Sequence, residues 1–210
     1  MKKKKIRQKY YEFVLEFMAP PVKLKSFLKF AGLTKEEFYE KYDSLRKVEM
    51  DIWKNSLKDV LRLLMNSDDY ISYNSRDRGM AFLYSWFEFM DENKCYFRNC
   101  RTLSSSQFIY GEHDFKRMLK KFIRKIINDG KACQEFKERG IGNNHMESFF
   151  MSLFFMNVRE WRRWSKKSKK KQECYMDALI EKSMTFFFDS LAPNLFDTFI
   201  DLMKHRRGYK

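Results

Sequence analysis

Interruptions are scarce in this chain. Three prolines and seven glycines are spread over 210 residues, so few positions break regular structure. Leu, Lys, Glu, Met and Phe are plentiful, while runs of Val, Ile and Thr are short. That balance favours helix over strand. No internal repeat and no strand-like alternation stands out, and the expected fold class is all-α.

The breakers that do occur mark helix ends. Ile6, Tyr10, Phe13, Val14 and Phe17 recur at helical spacing and predict a first helix from about Lys3 to Met18. Pro20 and Pro21 stop it. A second helix covers Val22 to Ala31, with Leu24, Phe27, Leu28 and Ala31 on one face, and Gly32 closes it as a C-terminal glycine. Thr34 with Glu37 three residues later forms a capping-box pattern that opens a short third helix ending near Tyr42. Asp43 or Ser44 then caps a long fourth helix reaching about Asn66, with Val48, Ile52, Val60 and Leu64 on its buried stripe.

A polar stretch from Ser67 to Asp77 follows. Further helices are expected at Arg78 to Glu92, Lys94 to Cys100, Asp114 to Asp129, Asn144 to Ser165, Gln172 to Leu191 and Leu195 to His205. Connections rich in Ser, Gly or Lys separate them, such as Ser104 to Ser106, Gly140 to Gly142 and Lys166 to Lys171.

The formal charge of +15 favours contact with a polyanion, either nucleic acid or an acidic membrane surface. The plain alternative is a lysine-rich solvated surface. Cys95, Cys100, Cys133 and Cys174 contain no C-x-x-C pair and no neighbouring His cluster, so reduced structural thiols are expected and a zinc site is not. The basic start is not followed by a signal-peptide core. The most apolar run, Phe149 to Val158, is far too short to cross a bilayer. The expected location is the cytoplasm. His113, His145 and His205 are isolated and match no catalytic pattern. Glu112-His113-Asp114 reads as a helix cap, and no catalytic, metal or cofactor residue is expected.

Two short helices joined by Gly32-Leu33-Thr34 form a helix-turn-helix pattern, which can place its second helix in a DNA groove. The segment from Phe27 to Tyr42 resembles the helix-turn-helix of the tetracycline-repressor (TetR) family. There an Ala-Gly-aliphatic-Ser/Thr turn leads into a helix with an apolar residue, a Tyr and a later aromatic, here Phe38, Tyr39 and Tyr42. Ile127-Asn128-Asp129-Gly130 followed by Glu135-Phe136 is similar to a helix end common in that family.

The resemblance implies a head over residues 1–47 and a helical ligand-binding and dimerisation body over 48–210. It implies a bacterial homodimer that regulates transcription by binding a double-stranded operator, is released from it by a small hydrophobic effector, and has no membrane partner. Lys23, Lys25 and Ser26 would lie near the DNA backbone. Thr34, Lys35 and Glu36 would open the recognition helix, with Tyr39 and Tyr42 contacting phosphate and packing the head, and Lys41, Arg46 and Lys47 completing the DNA-facing set. Glu36, Glu37 and Glu40 depart from the family, since acids on a groove-facing helix repel phosphate. The alternative is therefore a helical ligand-binding protein of the same build without DNA binding.

In the body, Phe149 to Met156 is apolar on nearly every helical face, and the segment from Gln172 to Leu191 is similarly rich. A helix apolar all round must be covered all round. A partner chain is the expected cover, through Phe149, Leu153, Met156, Trp161, Met176, Leu179, Phe186 and Phe187. Phe82, Trp86, Phe87, Phe115, Met118, Phe122, Phe150 and Phe154 are the candidate walls of an apolar ligand cavity, against the plainer reading of a packed core.

Overall fold

The computed structural model describes residues 2–102, 113–135 and 143–189. The expected helix from Leu195 to His205 and the connections at Ser104 to Ser106 and Gly140 to Gly142 lie outside the described residues. The described chain is helical throughout: α1 (Lys3–Phe17), α2 (Leu24–Ala31), α3 (Lys35–Tyr39), α4 (Leu45–Met65), α5 (Asp68–Ser72), α6 (Ser75–Glu92), α7 (Lys94–Asn99), α8 (Asp114–Ala132), α9 (Asn143–Trp164) and α10 (Lys169–Asp189).

The first three helices, the head, close on the stripe that periodicity singles out. Ile6, Tyr10, Phe13 and Val14 of α1 are buried, as are Phe27 of α2 and Phe38 of α3. Phe27 lies between Tyr10 and Phe38, with ring centroids 5.7 and 6.1 Å away. α1 packs on α2, α4 and α7. Helix α4 runs unbroken through positions 47 and 48 and belongs to both halves of the molecule. Its distal part packs with α6 and α8, while α9 and α10 lie against each other and against those two.

The polar stretch from Ser67 to Asp77 is not merely a connection. It holds the short helix α5, whose Tyr70 is buried, and the first turn of α6. Asn74 caps α6 by accepting from the Asp77 N–H at 2.8 Å.

The family-like helix end at Gly130 is also displaced. Gly130 is buried inside α8, which continues to Ala132. The left-handed residue that closes α8 is Gln134, at φ 57°. The Glu135 N–H then reaches back to the Gly130 carbonyl at 2.8 Å. The Glu135 carboxylate accepts from the Ser75 N–H at 2.7 Å, joining the end of α8 to the start of α6.

Glycine matters at Gly79 for a different reason. A Cβ there would come within 3.1 Å of the Met184 sulfur, so the missing side chain lets α10 approach α6.

The bundle has a direction. Trp161 Nε1 donates to Asp91 at 3.0 Å, and Lys94 Nζ donates to Gln172 at 2.7 Å. Tyr11 of α1 donates to Asn93 at 2.8 Å. The end of α9, the start of α10 and the end of α6 therefore lie on the head side. At the other end, Arg76 donates to Thr185 at 2.9 Å.

Candidate nucleic-acid interface

Gly32 sets the path from α2 into α3. It sits at φ +63°, with nothing within 4 Å of where a Cβ would stand. The backbone angle, not crowding, is what calls for glycine. The Leu33 N–H bonds to the Leu28 carbonyl at 3.0 Å and finishes the α2 end.

Two residues later the expected capping box is present in full. The Glu37 N–H donates to Thr34 Oγ1 at 3.2 Å, and the Thr34 N–H donates to the Glu37 carboxylate at 2.9 Å. Glu37 is thus engaged at the helix start. Glu36 and Glu40 stand exposed. Both carboxyls are held below the usual carboxylate range. For Glu36 the cause is hydrogen bonding to its own backbone N–H and then to Thr34; for Glu40 it is the hydrogen bond from Lys41, 2.6 Å away. They carry fixed negative charge at neutral pH.

The two tyrosines separate in role. Tyr39 is 49% exposed, whereas Tyr42 is 5% exposed. The Tyr42 hydroxyl donates to Asp51 Oδ2 at 2.6 Å, and Arg7 Nη1 donates to the same oxygen at 2.7 Å. Burial acts to raise the Asp51 carboxyl, but these two hydrogen bonds together with the charges of Arg7 and Lys54 outweigh it and the net shift is downward. Tyr42 itself is pushed up, chiefly by burial. This Arg7–Asp51–Tyr42 knot ties α1 and the end of the α3 turn to α4.

Around that anchor, Lys23, Lys25, Ser26, Thr34, Lys35, Glu36, Arg46 and Lys47 are exposed and Lys41 is half-buried. Ser26 Oγ donates to the Lys23 carbonyl at 2.7 Å. The Lys47 N–H donates to Ser44 Oγ at 3.3 Å, so Ser44 is the α4 cap.

A second knot escaped the sequence reading. Glu49, on the buried side of α4, is 3% exposed. It accepts from the Tyr10 hydroxyl at 2.8 Å and from both the backbone N–H and the hydroxyl of Thr102. The signal available was register: Glu49 falls in the same stripe as Ile52, Trp53 and Ser56.

The aromatic residues proposed as ligand walls are brought together as touching rings. Phe82 meets Phe122 at 4.9 Å and Phe154 at 6.0 Å, and Trp86 meets Phe115 and Phe154 at 5.7 and 5.6 Å. Phe87 and Phe150 are buried and Met118 is half-buried. Phe122 also reaches a cavity of about 110 Å³ shared with Tyr70, Arg78 and Asp129.

The run from Phe149 to Met156 is covered largely by its own chain. Phe149, Phe150, Met151, Leu153, Phe154 and Phe155 are all buried, and Phe149 packs on Phe186 and Phe187 at 5.2 and 6.0 Å. Trp161, Met176 and Phe187 are buried as well, while Met156, Leu179 and Phe186 are half-exposed.

His113 caps α8, its Nδ1 accepting from the Lys116 N–H at 3.3 Å, as the sequence suggests. The four cysteines are free thiols. Among the described residues, no cluster of three or more His, Cys, Asp or Glu side chains is placed to hold a metal, and no helix is long and apolar enough to cross a membrane.

This arrangement is that of a known fold. The chain is similar to the crystal structure of a TetR-family transcriptional regulator from Streptomyces coelicolor A3. The likeness covers 89% of this chain and 90% of that one, with a TM-score of 0.51 and 12% sequence identity. At that identity the likeness carries the fold: the chain has the all-helical fold of TetR-type transcriptional regulators. No family model matches the sequence, and no curated protein matches it.

Proposed function

We propose that the protein is a DNA-binding transcriptional regulator of TetR type, with α2 and α3 acting as its helix-turn-helix. One observation carries the reading. The left-handed Gly32 turn and the complete Thr34–Glu37 capping box fix the start of α3, leaving Lys35 and Tyr39 exposed while Phe38 and Tyr42 anchor the helix from behind. Lys23, Lys25, Arg46 and Lys47 add positive charge on the flanking helices, which suits phosphate contacts.

A homodimer through α9 and α10 fits the two-fold symmetry of an operator. The half-exposed Met156, Leu179 and Phe186 are its nearest apolar surface. Release of DNA by a small apolar effector would require the rings around Trp86 to part, since they are in contact.

A second reading has its own support. Glu36 on the five-residue α3 and Glu40 at its C-terminal end keep exposed negative charge. A helical binding protein of this fold that does not bind DNA would tolerate both.

Gel retardation separates the two. With duplexes from the region upstream of the protein's own gene, the first reading expects a complex whose affinity falls at least about tenfold between roughly 50 and 200 mM salt. Lys35→Ala with Tyr39→Ala should abolish it without unfolding the chain, because both side chains are exposed. Equal retardation of every duplex by wild type and double variant would leave only a basic surface. No retardation at low salt would favour the second reading.

A further inference from the structure

We propose that the cleft between the α3–α4 turn and the start of α8 binds a small phosphorylated molecule of nucleotide size. The cleft has a volume of about 790 Å³, within the range of cavities that take small organic ligands. Six cations line it: Lys3, Lys41, Arg46, Lys47, Lys54 and Arg117. Three carboxylates face them, and two of these are already engaged. Asp51 is held by Arg7 and Tyr42, and Asp114 by Lys54 and Arg117. The third, Asp43, is exposed.

Lys41 is paired with Glu40, and Lys3 sits over the Tyr42 ring at 5.2 Å. Arg46 and Lys47 have no carboxylate partner among the described residues. They occupy the first turn of α4, where no acidic residue is present. Cations at the positive end of a 21-residue helix raise its energy, and an anion beside them reverses the sign. The start of α8 also lines the cleft, its positive end already met by the His113 cap and by Asp114 in its first turn. Arg46 and Lys47 are left demanding negative charge, and with the paired cations Lys41, Lys54 and Arg117 around the same space they suit a phosphate chain better than a single carboxylate. Met50 and the Tyr42 ring supply apolar lining for the remainder of the ligand.

This site lies apart from the closed aromatic rings of the bundle and joins two elements that a ligand would hold at a fixed spacing. Binding itself does not depend on the regulator reading. Its consequence does: Arg46 and Lys47 also belong to the surface proposed to meet DNA, so ligand and duplex would compete for them.

Isothermal titration of the full chain with ATP, at about 150 mM salt and without divalent cations, tests the site. The expected result is saturable binding of one ATP per chain. Arg117→Gln lies outside the proposed DNA surface and should weaken binding about tenfold, the loss of one charge-assisted contact. Arg46→Gln should do the same. The control removes Lys166, Lys167, Lys170 and Lys171 as glutamines. All four are exposed, Lys166 and Lys167 on the α9–α10 turn and Lys170 and Lys171 in the first turn of α10, and the change in affinity should stay below about twofold, the mark of a local site over general screening.

Absence of saturable binding would overturn the proposal. So would a control that weakens binding as much as Arg117→Gln, because that is the response of an adventitious polyanion. Gel retardation with and without saturating ATP keeps the two readings apart. If no duplex is bound, the regulator reading fails and the ATP titration still decides the cleft. If a duplex is bound and saturating ATP leaves it in place, the shared use of Arg46 and Lys47 is overturned.

Discussion

The head and the centre of the bundle are held together by different physics. In the head, directional polar contacts fix each helix. Arg7, Tyr42 and Asp51 meet at one carboxylate, Tyr10 and Thr102 meet at Glu49, and Thr34 and Glu37 cap each other. At the centre of the bundle, contact is ring on ring. Trp53 touches Phe97, Phe115 and Trp86 at 5.1, 5.6 and 5.7 Å, and Trp86 goes on to Phe154. Trp86 Nε1 is buried there without a hydrogen-bond partner among the described residues. Polar knots specify an orientation, because they work only at one distance and angle. Ring packing supplies burial with less angular demand. A surface that must present a few side chains gains from the first; a scaffold gains from the second.

The largest effect that probes this contrast is Trp86→Ala. Trp86 is fully buried and contacts rings from α4, α7, α8 and α9. Truncation should cost about 3–5 kcal/mol, as for other large core aromatics. Urea unfolding followed by tryptophan fluorescence and far-UV circular dichroism reads it. A loss under about 1 kcal/mol would mean that the rings around Trp86 are replaceable, and the contrast would break on the bundle side.

Asp51→Asn tests the head side. Its neighbours are Arg7 and Tyr42, and the substitution removes the charge while keeping an acceptor. A loss of about 2 kcal/mol is expected for charge-assisted hydrogen bonds. Hydrogen exchange should speed up in α1 and α3 and stay unchanged in α8 and α9. The pH dependence has a defined sign. The folded carboxyl lies below its ordinary value, so its contribution is present above the unfolded pKa of roughly 3.9 and fades as pH falls through the lower folded value. The stability gap between wild type and Asp51→Asn should therefore shrink only in acid below about pH 4. A gap constant into that range would show that the knot acts through packing alone.

The same division decides what the sequence discloses. Gly32, the Thr34–Glu37 pair and the His113 cap are legible because each is a local device, complete within a few residues. The apolar stripes of α1 and α4 are legible because helical spacing repeats. Gly130 misled, since a glycine signals an end only when the backbone turns left-handed there, and Gln134 takes that role four residues further along the chain. Glu49 and Asp51 were missed because their partners, Tyr10, Thr102, Arg7 and Tyr42, come from other segments. The need for a partner chain over Phe149 to Met156 was overstated for a related reason: α10 brings Phe186 and Phe187 onto that run, and no local pattern displays such coverage. The cationic cleft was invisible too, because it exists only where α1, α4 and α8 meet.

The smallest expected effect sharpens the comparison within one neighbourhood, where a partnered and an unpartnered hydroxyl are buried side by side. Tyr10 and Tyr96 are both buried tyrosines, and burial raises both phenols well above their usual value. They differ in one respect. Tyr10 donates to Glu49 at 2.8 Å, whereas the Tyr96 hydroxyl has no partner among the described residues and its ring stacks on Tyr11 at 4.7 Å. A buried donor without an acceptor opposes folding, so deleting it removes a cost. Tyr96→Phe should leave stability within about 0.5 kcal/mol of wild type or raise it. Tyr10→Phe takes a hydrogen bond from a buried carboxylate and should lower stability by about 2 kcal/mol. Side-by-side urea titrations measure the pair. Equal losses would place a hidden partner, such as a bound water, beside Tyr96 and make its contact with α1 as directional as the knot at Glu49. A loss confined to Tyr10→Phe means that the oxygen at position 10 orients the head while the oxygen at position 96 contributes nothing to holding α7 against α1.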